Sequence, residues 1–531
     1  MYFTEQLWAV IISLNCNFGI FMKYFFLILA LMPIILMLSG ILISLLPRTS
    51  VVQVWRLFTG LSMLALACTI INLCVGHTIL ELQPWLKTNQ FGTVLAFLVQ
   101  LLCTVITVFS KRYLEGEPEQ KRYVTALAGV LAAVHLLLMA DHWIVLIIAW
   151  ALVGLSLERL LCFYPDRAFA LLAAHKKQIA DRAADVMLIT AAALAWGEVG
   201  SGSLSDLWVH IEQNGISTTL QFCAIFLVLA VILRTALLPV HGWLIQVMEA
   251  PTPVSALLHA GVVNLGGYVL IRFAPLLEQA MPARSLLMIF GLGTALLAGL
   301  VMLTRISIKV RLAWSTTAQM GFMVLECGLG LYTLAALHLL GHSLYKAHAF
   351  LSASGVVRQT RLQEMRGMVT PIPLSLLLTP AMAIIMVFMI QSLFSKTAWP
   401  WWWSAILGLA WAPLLWLPAQ NVNFRIICLH MLTGLLMVAG LTILASIVHV
   451  LPLGIHDAPN NTLGVVALIG MTALYLCLVI LQIKPQVLRG WRRWSYAGFY
   501  VDEVYTRMAL KIWPTRWTSG SASTHNTSAR L

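Results

Sequence analysis

Charged residues are scarce in this chain of 531 residues. Asp, Glu, Lys and Arg make up 10% of it, whereas 60% of the residues are hydrophobic and the mean hydropathy is +0.89. Soluble domains contain about 25% charged residues, so the composition leaves no room for a soluble domain. Apolar runs of about 20 residues, the length that crosses a bilayer, recur along the chain. We therefore predict an all-α, polytopic membrane protein with roughly 13 to 14 transmembrane helices.

The clearest predicted spans share a long apolar run between polar ends. They are Tyr24–Leu46, Val54–Val75, Thr93–Ser110, Val124–Ala140, Trp143–Leu161, Thr218–Leu238, Leu286–Thr304, Leu331–Ser352, Pro373–Phe394, Ile426–Val448 and Leu463–Ile483. The first twenty residues form a weaker, interrupted apolar stretch, so Met22 is an alternative start to Met1.

Motifs that bind metals, clusters or nucleotides are also missing. The nine cysteines are scattered singly, without a CxxC or a Cys/His ligand spacing, which argues against a structural zinc or an iron–sulfur cluster. No GxGxxG or Walker-type loop precedes a helix. We expect no metal, no cofactor and no catalytic residues in this chain, so an ion gradient or a partner must drive it.

Acidic residues are fewer than basic ones, 20 against 33, which gives a formal net charge of +13. The segment Trp196–Thr219 contains three acidic residues and no Lys or Arg. Basic residues cluster in short loops and in the tail, at residues 48–56, 111–122, 167–182, 358–366 and 484–530. This is the positive-inside pattern. It predicts a bacterial inner membrane protein with cytoplasmic basic loops and C-terminus that contact anionic lipid, and no nucleic-acid partner.

Two prolines interrupt the apolar sequence between His241 and His259. Pro251 and Pro253 remove backbone donors and break the helical ladder. Inside a membrane, such a break is tolerated where protein or a water-filled cavity satisfies the freed carbonyl groups. A broken helix beside ionisable groups predicts an ion pathway, although a lone proline kink that only shapes packing is a common alternative.

His338, His342 and Lys346 follow the spacing i, i+4, i+8. Side chains four apart stack on one face of a helix, so the three predict a polar stripe about 12 Å long. Imidazole titrates near neutrality, and a column of such groups can pass a proton stepwise. Packing with satisfied hydrogen bonds is the alternative. Zinc is a third, but it lacks a third ligand and Lys346 would repel it.

Other intramembrane charges have simpler alternatives. Arg234, Lys309 and Lys396 lie near the ends of apolar runs and could extend to the interface. Glu158 and its neighbour Arg159 point about 100° apart on a helix and cannot pair with each other. Glu158 therefore needs a cation from another helix.

These residues resemble the antiporter-like subunits of respiratory complex I, multisubunit cation/proton antiporters and membrane-bound hydrogenases. The resemblance extends from Lys111 to Lys396, with a weaker match near the C-terminus. The matching motifs are Leu238–Leu244, Ala250–Ala260, Ala313–Gly321, His338–Ala347, Phe394–Lys396 and Tyr500–Tyr505. The resemblance implies two inverted five-helix repeats with broken helices. It also implies a proton path with His259 and Lys309 as connectors, the His338/His342/Lys346 stripe as exit relay and Lys396 as terminal donor.

The departures from the family pattern are informative. The family has Trp-Glu on the fifth helix, but Trp150 is followed by Ala151, and Glu158 is a candidate substitute. Arg234 replaces the central lysine of the family; an arginine can hold a carboxylate but cannot hand on a proton. Ser307 stands where the complex I subunit has an aspartate, and the long lateral helix of that subunit is not expected here.

One branch of the family shows these features, the DabB-type membrane subunits of dissolved inorganic carbon pumps. The resemblance implies a peripheral zinc partner of the DabA type, similar to β-carbonic anhydrase, which would hydrate CO2 to bicarbonate. The alternatives are a proton-translocating subunit of an NADH-quinone oxidoreductase or hydrogenase, and a non-conducting membrane anchor. We predict N-terminal helices in 1–110, a conducting core in 111–400, C-terminal helices in 401–483 and a basic tail in 484–531.

Overall fold

The structure, a computed structural model, describes residues 26–75, 81–82, 84–353, 371–393, 399–419 and 423–514. The chain divides into two compact units. The first lies within Met1–Pro165 and Ala192–Asn214, and the second within Asp166–Ala191 and Gly215–Leu531. The first twenty residues, the basic loop at 358–366 and the end of the basic tail lie outside the described residues. The four-part domain division stays a prediction.

The first unit consists of apolar helices joined by short loops. Its helices are α1 Phe26–Leu45, α2 Val51–Val75, α3 Gln90–Tyr113, α4 Gln120–Met139, α5 Trp143–Leu161, the end of α6 Ala168–Val199, and α7 Leu204–Asn214. A small hairpin of β1 Glu81–Leu82 and β2 Leu86–Lys87 is antiparallel, and Leu86 bridges Ala140. Asn89 and His142 cap α3 and α5 by accepting hydrogen bonds from backbone N–H groups of the first turn.

The second unit contains the start of α6 and the remaining helices. They are α8 Thr218–Arg234, α9 Gly242–Gln246, α10 Thr252–Ala260, α11 Leu265–Arg272, α12 Ala274–Gln279, α13 Met281–Met302, α14 Ile308–Leu329, α15 Tyr332–Leu351, α16 Pro373–Leu393, α17 Trp401–Trp411, α18 Phe424–His449, α19 Asn461–Ile483, α20 Arg489–Tyr496 and α21 Val501–Ile512. Helices α13 and α14 touch at Gly291 and Gly321, where a Cβ on Gly291 would come within 2.6 Å of the Leu325 nitrogen. Such small residues let membrane helices approach closely. The buried Trp402 and Trp403 pack against Leu325 in the apolar core of this unit.

Ten helical segments in the described part of the chain are long and apolar enough to cross a membrane. Two shorter apolar helices, Thr218–Arg234 and Trp401–Leu415, add to them. Helices α6, α14 and α15 are as long as spans, but charged or imidazole side chains lower their hydropathy. The all-α, polytopic class is confirmed, and the predicted 13 to 14 spans count some of these more polar helices as membrane-crossing.

Candidate functional site

The helix interrupted by prolines lies in the second unit. Pro251 occupies the cap position of α10, and Pro253 lies in its first turn, where a missing N–H breaks no hydrogen bond. All nine residues of α10 are buried. At Gly261 the backbone leaves helical geometry (φ −125°, ψ −70°), and a short 3-10 turn leads to α11. The prolines therefore begin α10, and the break inside the span follows it.

A side chain compensates for this second break. The Asn264 amide donates hydrogen bonds to the Ala260 carbonyl at 2.9 Å and to the Ser343 hydroxyl on α15 at 2.7 Å. An interrupted membrane helix requires such partners for its freed carbonyl groups. Asn264 thus links the interrupted backbone to α15, the helix of the predicted polar stripe.

His338, His342 and Lys346 lie together on one face of α15. The ring centroids of the two histidines are 6.1 Å apart, and the Lys346 ammonium donates to the Leu312 carbonyl at 3.1 Å. His342 is 6% exposed and Lys346 is fully buried. His342 lies between His338 and Lys346 on this face, one helical turn from each. The spacing in the sequence therefore corresponds to a continuous buried column.

Glu326 on α14 extends the column at its His338 end. Its Oε2 atom lies 2.8 Å from His338 Nδ1, and the glutamate side chain is 4% exposed. Sequence analysis missed this residue. The available signal was a single carboxylate in the otherwise apolar run Met323–Leu329. The column therefore contains an acid, two imidazoles and an amine in succession.

His259 on α10 joins the column to the broken helix. Its ring stacks on Phe350 of α15 at 4.5 Å and interacts electrostatically with Lys346. Among the described residues, neither ring nitrogen of His259 or His342 has a hydrogen-bond partner. Buried polar groups normally make hydrogen bonds, and the role of His259 and His342 in a proton path stays a prediction.

Lys309 contacts the start of α10. Its ammonium donates to the Thr252 hydroxyl at 3.0 Å, beside the prolines. Lys309 therefore contacts a neighbouring helix, and its role as a connector stays a prediction.

Arg234 forms a buried ion pair with Asp185 of α6. Asp185 also accepts a hydrogen bond from Arg182 at 2.8 Å, so one carboxylate lies between two guanidinium groups. The Arg234 side chain is 4% exposed, and it does not extend to the interface as an isolated arginine near a helix end would. The pair neutralises Arg234 and fixes α6 against the end of α8.

Two further residues of the predicted pathway, Glu158 and Lys396, are not among the described residues of the second unit. Glu158 lies on α5 in the first unit, half-buried, with no ion pair to the described residues. Lys396 lies outside the described residues. Among the residues that the structure describes, no group of three or more His, Cys, Asp or Glu side chains is placed to hold a metal ion. The role of Glu158 as a substitute carboxylate stays a prediction.

Known proteins resemble this chain over the same region. The family described as NADH:quinone oxidoreductase/Mrp antiporter, transmembrane, matches residues 140–402, which contain α10, α14 and α15. The probable inorganic carbon transporter subunit DabB of Hydrogenovibrio crunogenus is 36% identical over 494 residues, 87% of this chain and 90% of that protein. The chain belongs to the DabB family. The resemblance predicted from the motifs is thereby confirmed.

Other relatives match this DabB family member over a smaller share of their own length. The probable inorganic carbon transporter subunit DabB2 of Halothiobacillus neapolitanus is 46% identical over 52% of this chain and 50% of that protein. NADH-quinone oxidoreductase subunit L of Mycobacterium tuberculosis is 31% identical over 52% of this chain and 44% of that protein. A subunit in the structure of the Mrp complex from a Dietzia species shares the fold, with a TM-score of 0.62 and 20% identity over 94% of this chain and 60% of that chain.

Proposed function

We propose that this chain is the proton-conducting membrane subunit of an energy-coupled inorganic carbon uptake pump. The observation that supports conduction is the buried column of Glu326, His338, His342 and Lys346 beside a broken helix. The DabB family membership supports the carbon substrate. The chain itself is a transporter subunit, and the hydration of CO2 belongs to a partner.

The column offers a stepwise route for a proton. Lys346 and the two imidazoles can each bind and release one. His259 and Lys309 connect this route to the broken helix. Arg234 stays protonated, so it shapes the field at Asp185 without passing a proton.

The partner supported by the family is a peripheral zinc protein of the DabA type, similar to β-carbonic anhydrase. Proton entry through the membrane subunit would make the hydration of CO2 to bicarbonate one-way. The positive-inside pattern places the basic loops and the C-terminus in the cytoplasm of a bacterial inner membrane, where such a partner meets newly arrived CO2. Lys396 is the proposed terminal donor, as the resemblance implies.

The test is Lys346→Met, which keeps the volume and removes the amine. We expect carbon uptake to fall by at least tenfold while the variant still co-purifies with its partner, because one proton carrier is lost and the surface is unchanged. The matched control is His348→Gln, an exposed histidine on the same helix, which should keep normal uptake. Normal uptake by Lys346→Met would remove the column from the mechanism.

The partner is tested by purification of the tagged chain in mild detergent, followed by mass spectrometry and metal analysis. We expect one large zinc-containing protein. A set of partners with flavin, iron–sulfur or quinone sites would instead assign the chain to a redox complex related to the subunit L relative.

A further inference from the structure

A cavity of about 550 Å³ lies where two membrane-spanning helices of the second unit end. Its lining residues are Leu303, Thr304, Arg305 and Ile306 from the loop between α13 and α14, and Arg489, Arg492, Arg493 and Tyr496 from α20. Four of these eight residues are arginines and none is acidic. The cavity therefore suits an anion, and it lies apart from the column on α15.

The position of the cavity relative to the membrane follows from the ends of two spanning helices. Arg305 lies three residues beyond the end of α13, and Arg489 lies six residues beyond the end of α19. Both therefore lie at the membrane surface. The short helix α20 also exposes Trp491 and Trp494, by 43% and 57%. Amphipathic helices with arginine and exposed tryptophan lie in the headgroup region of a bilayer.

Arg305 is held in place as a binding group. Its guanidinium lies 5.3 Å from the Trp314 ring centre and 5.8 Å from the Tyr496 ring centre. Its buried Nε atom has no hydrogen-bond partner among the described residues. The two ring contacts orient the guanidinium, and an oriented guanidinium can donate paired hydrogen bonds to phosphate oxygens.

We propose that this cavity binds the headgroup phosphate of an anionic phospholipid. The position at the ends of two spans and the exposed tryptophans on the same helix favour a lipid over an acidic segment of a partner subunit. The inference does not depend on proton conduction. Trp314, which Arg305 contacts from the edge of the cavity, also packs on His241 with the ring centroids 4.9 Å apart.

The test is lipid binding by the full, delipidated chain, measured by native mass spectrometry with phosphatidylglycerol and with phosphatidylcholine. The double variant Arg492→Gln/Arg493→Gln should bind phosphatidylglycerol about thirtyfold more weakly, since each arginine near an anionic surface contributes roughly fivefold. Both arginines are exposed, so the fold should survive. The matched control is Arg425→Gln, an exposed arginine at the start of α18 that is not among the lining residues.

Several outcomes would overturn the proposal. Equal binding of the two lipids, or an equal loss in Arg425→Gln, would mean that the cavity does not select an anionic headgroup. Displacement of phosphatidylglycerol by millimolar inorganic phosphate would assign a free-phosphate site instead. A loss of partner co-purification in the double variant, with lipid binding unchanged, would make the surface a docking site for a protein.

Discussion

Glu326 shows how one carboxylate changes the character of a histidine column. It lies 2.8 Å from His338 Nδ1 and is almost fully buried. In the proposed relay, Glu326 supplies a negative charge at the end of the column opposite Lys346.

Glu326→Gln should therefore slow transport while leaving the fold intact. The amide keeps a hydrogen bond to His338 but removes the negative charge, so we expect at least a tenfold loss of uptake, within the range for a positioned acid or base. The matched control is Glu212→Gln, an exposed glutamate on α7. The measurement is carbon uptake across pH 6 to 8. An unchanged uptake profile would assign Glu326 to helix packing.

Some contacts of the candidate site can be predicted from the spacing of residues in the sequence, and others cannot. The spacing of His338, His342 and Lys346 predicts a shared face because helix geometry fixes it locally. Glu326 lies on another helix, and Asp185 is 49 positions before Arg234. Contacts of this kind depend on tertiary packing, which spacing does not encode. Arg234 could thus be recognised as a possible partner of a carboxylate, but the carboxylate itself could not be named.

At the element scale, Asp185 fixes α6 to the end of α8. Removing its charge takes a buried counter-charge away from Arg234, which costs about 3 kcal/mol for an internal ion pair. Asp185→Asn should therefore lower the unfolding temperature in detergent by several degrees. Arg182→Gln is the matched control, because this second partner of Asp185 is 44% exposed and exposed pairs contribute less than about 1 kcal/mol. Equal effects of the two substitutions would contradict the burial argument.

The loop between α18 and α19 is held by a second buried carboxylate. Asp457 accepts a hydrogen bond from the Thr333 backbone at 2.7 Å, and His449 lies 3.9 Å away. Burial raises the pKa of the Asp457 carboxyl above its ordinary value, and the neighbouring His449 and the hydrogen bonds oppose this shift in part. The folded protein therefore keeps this proton to a higher pH than the unfolded chain does.

The stability of the folded protein depends on pH through the Asp457 carboxyl. Between the pKa of the unfolded chain and the higher pKa of the folded protein, the native state binds more protons, so stability falls as pH rises through this acid window. Asp457→Asn keeps the acceptor oxygen and has no charge. We expect it to unfold at a higher temperature than the parent at pH 7 and at a similar temperature below the window. Asp166→Asn, at an exposed position, should change neither value. A lower unfolding temperature for Asp457→Asn at pH 7 would show that its charge stabilises the loop.

At the scale of the whole molecule, the chain returns on itself within the second unit. The C-terminal helix α21 packs on α6 and on α9, more than 250 residues earlier in sequence. Lys176 donates to Asp502 at 2.5 Å and to Thr506 at 3.0 Å, and Gln246 donates to Asp502 at 3.1 Å. The Tyr500–Tyr505 motif, the weakest match in the sequence, thus contains a residue that fastens the C-terminal segment to the start of the broken-helix region.

Substitutions of the two residues of this ion pair, Lys176 and Asp502, should lower stability by different amounts. Lys176 is fully buried, whereas the Asp502 side chain is 27% exposed. Asp502→Asn leaves a buried ammonium without its counter-charge, which should cost about 3 kcal/mol. Lys176→Met replaces the ammonium by an apolar side chain of similar length, and the exposed carboxylate turns to water, so it should cost much less. A Cβ on Gly242 would overlap Asp502, so Gly242→Ala should release the helix as well.

The double variant Lys176→Met/Asp502→Asn completes the cycle. We expect its stability to match that of Lys176→Met, because an uncharged partner no longer requires the carboxylate. Thermal unfolding of the parent and the three variants gives the coupling free energy between Lys176 and Asp502. Limited proteolysis near Trp513 reports whether α21 is released. Additive losses would mean that Lys176 and Asp502 act independently. Equal losses in the two single variants would mean that the buried ammonium does not dominate the contact, and that the backbone and Tyr505 hydrogen bonds hold the C-terminal helix instead.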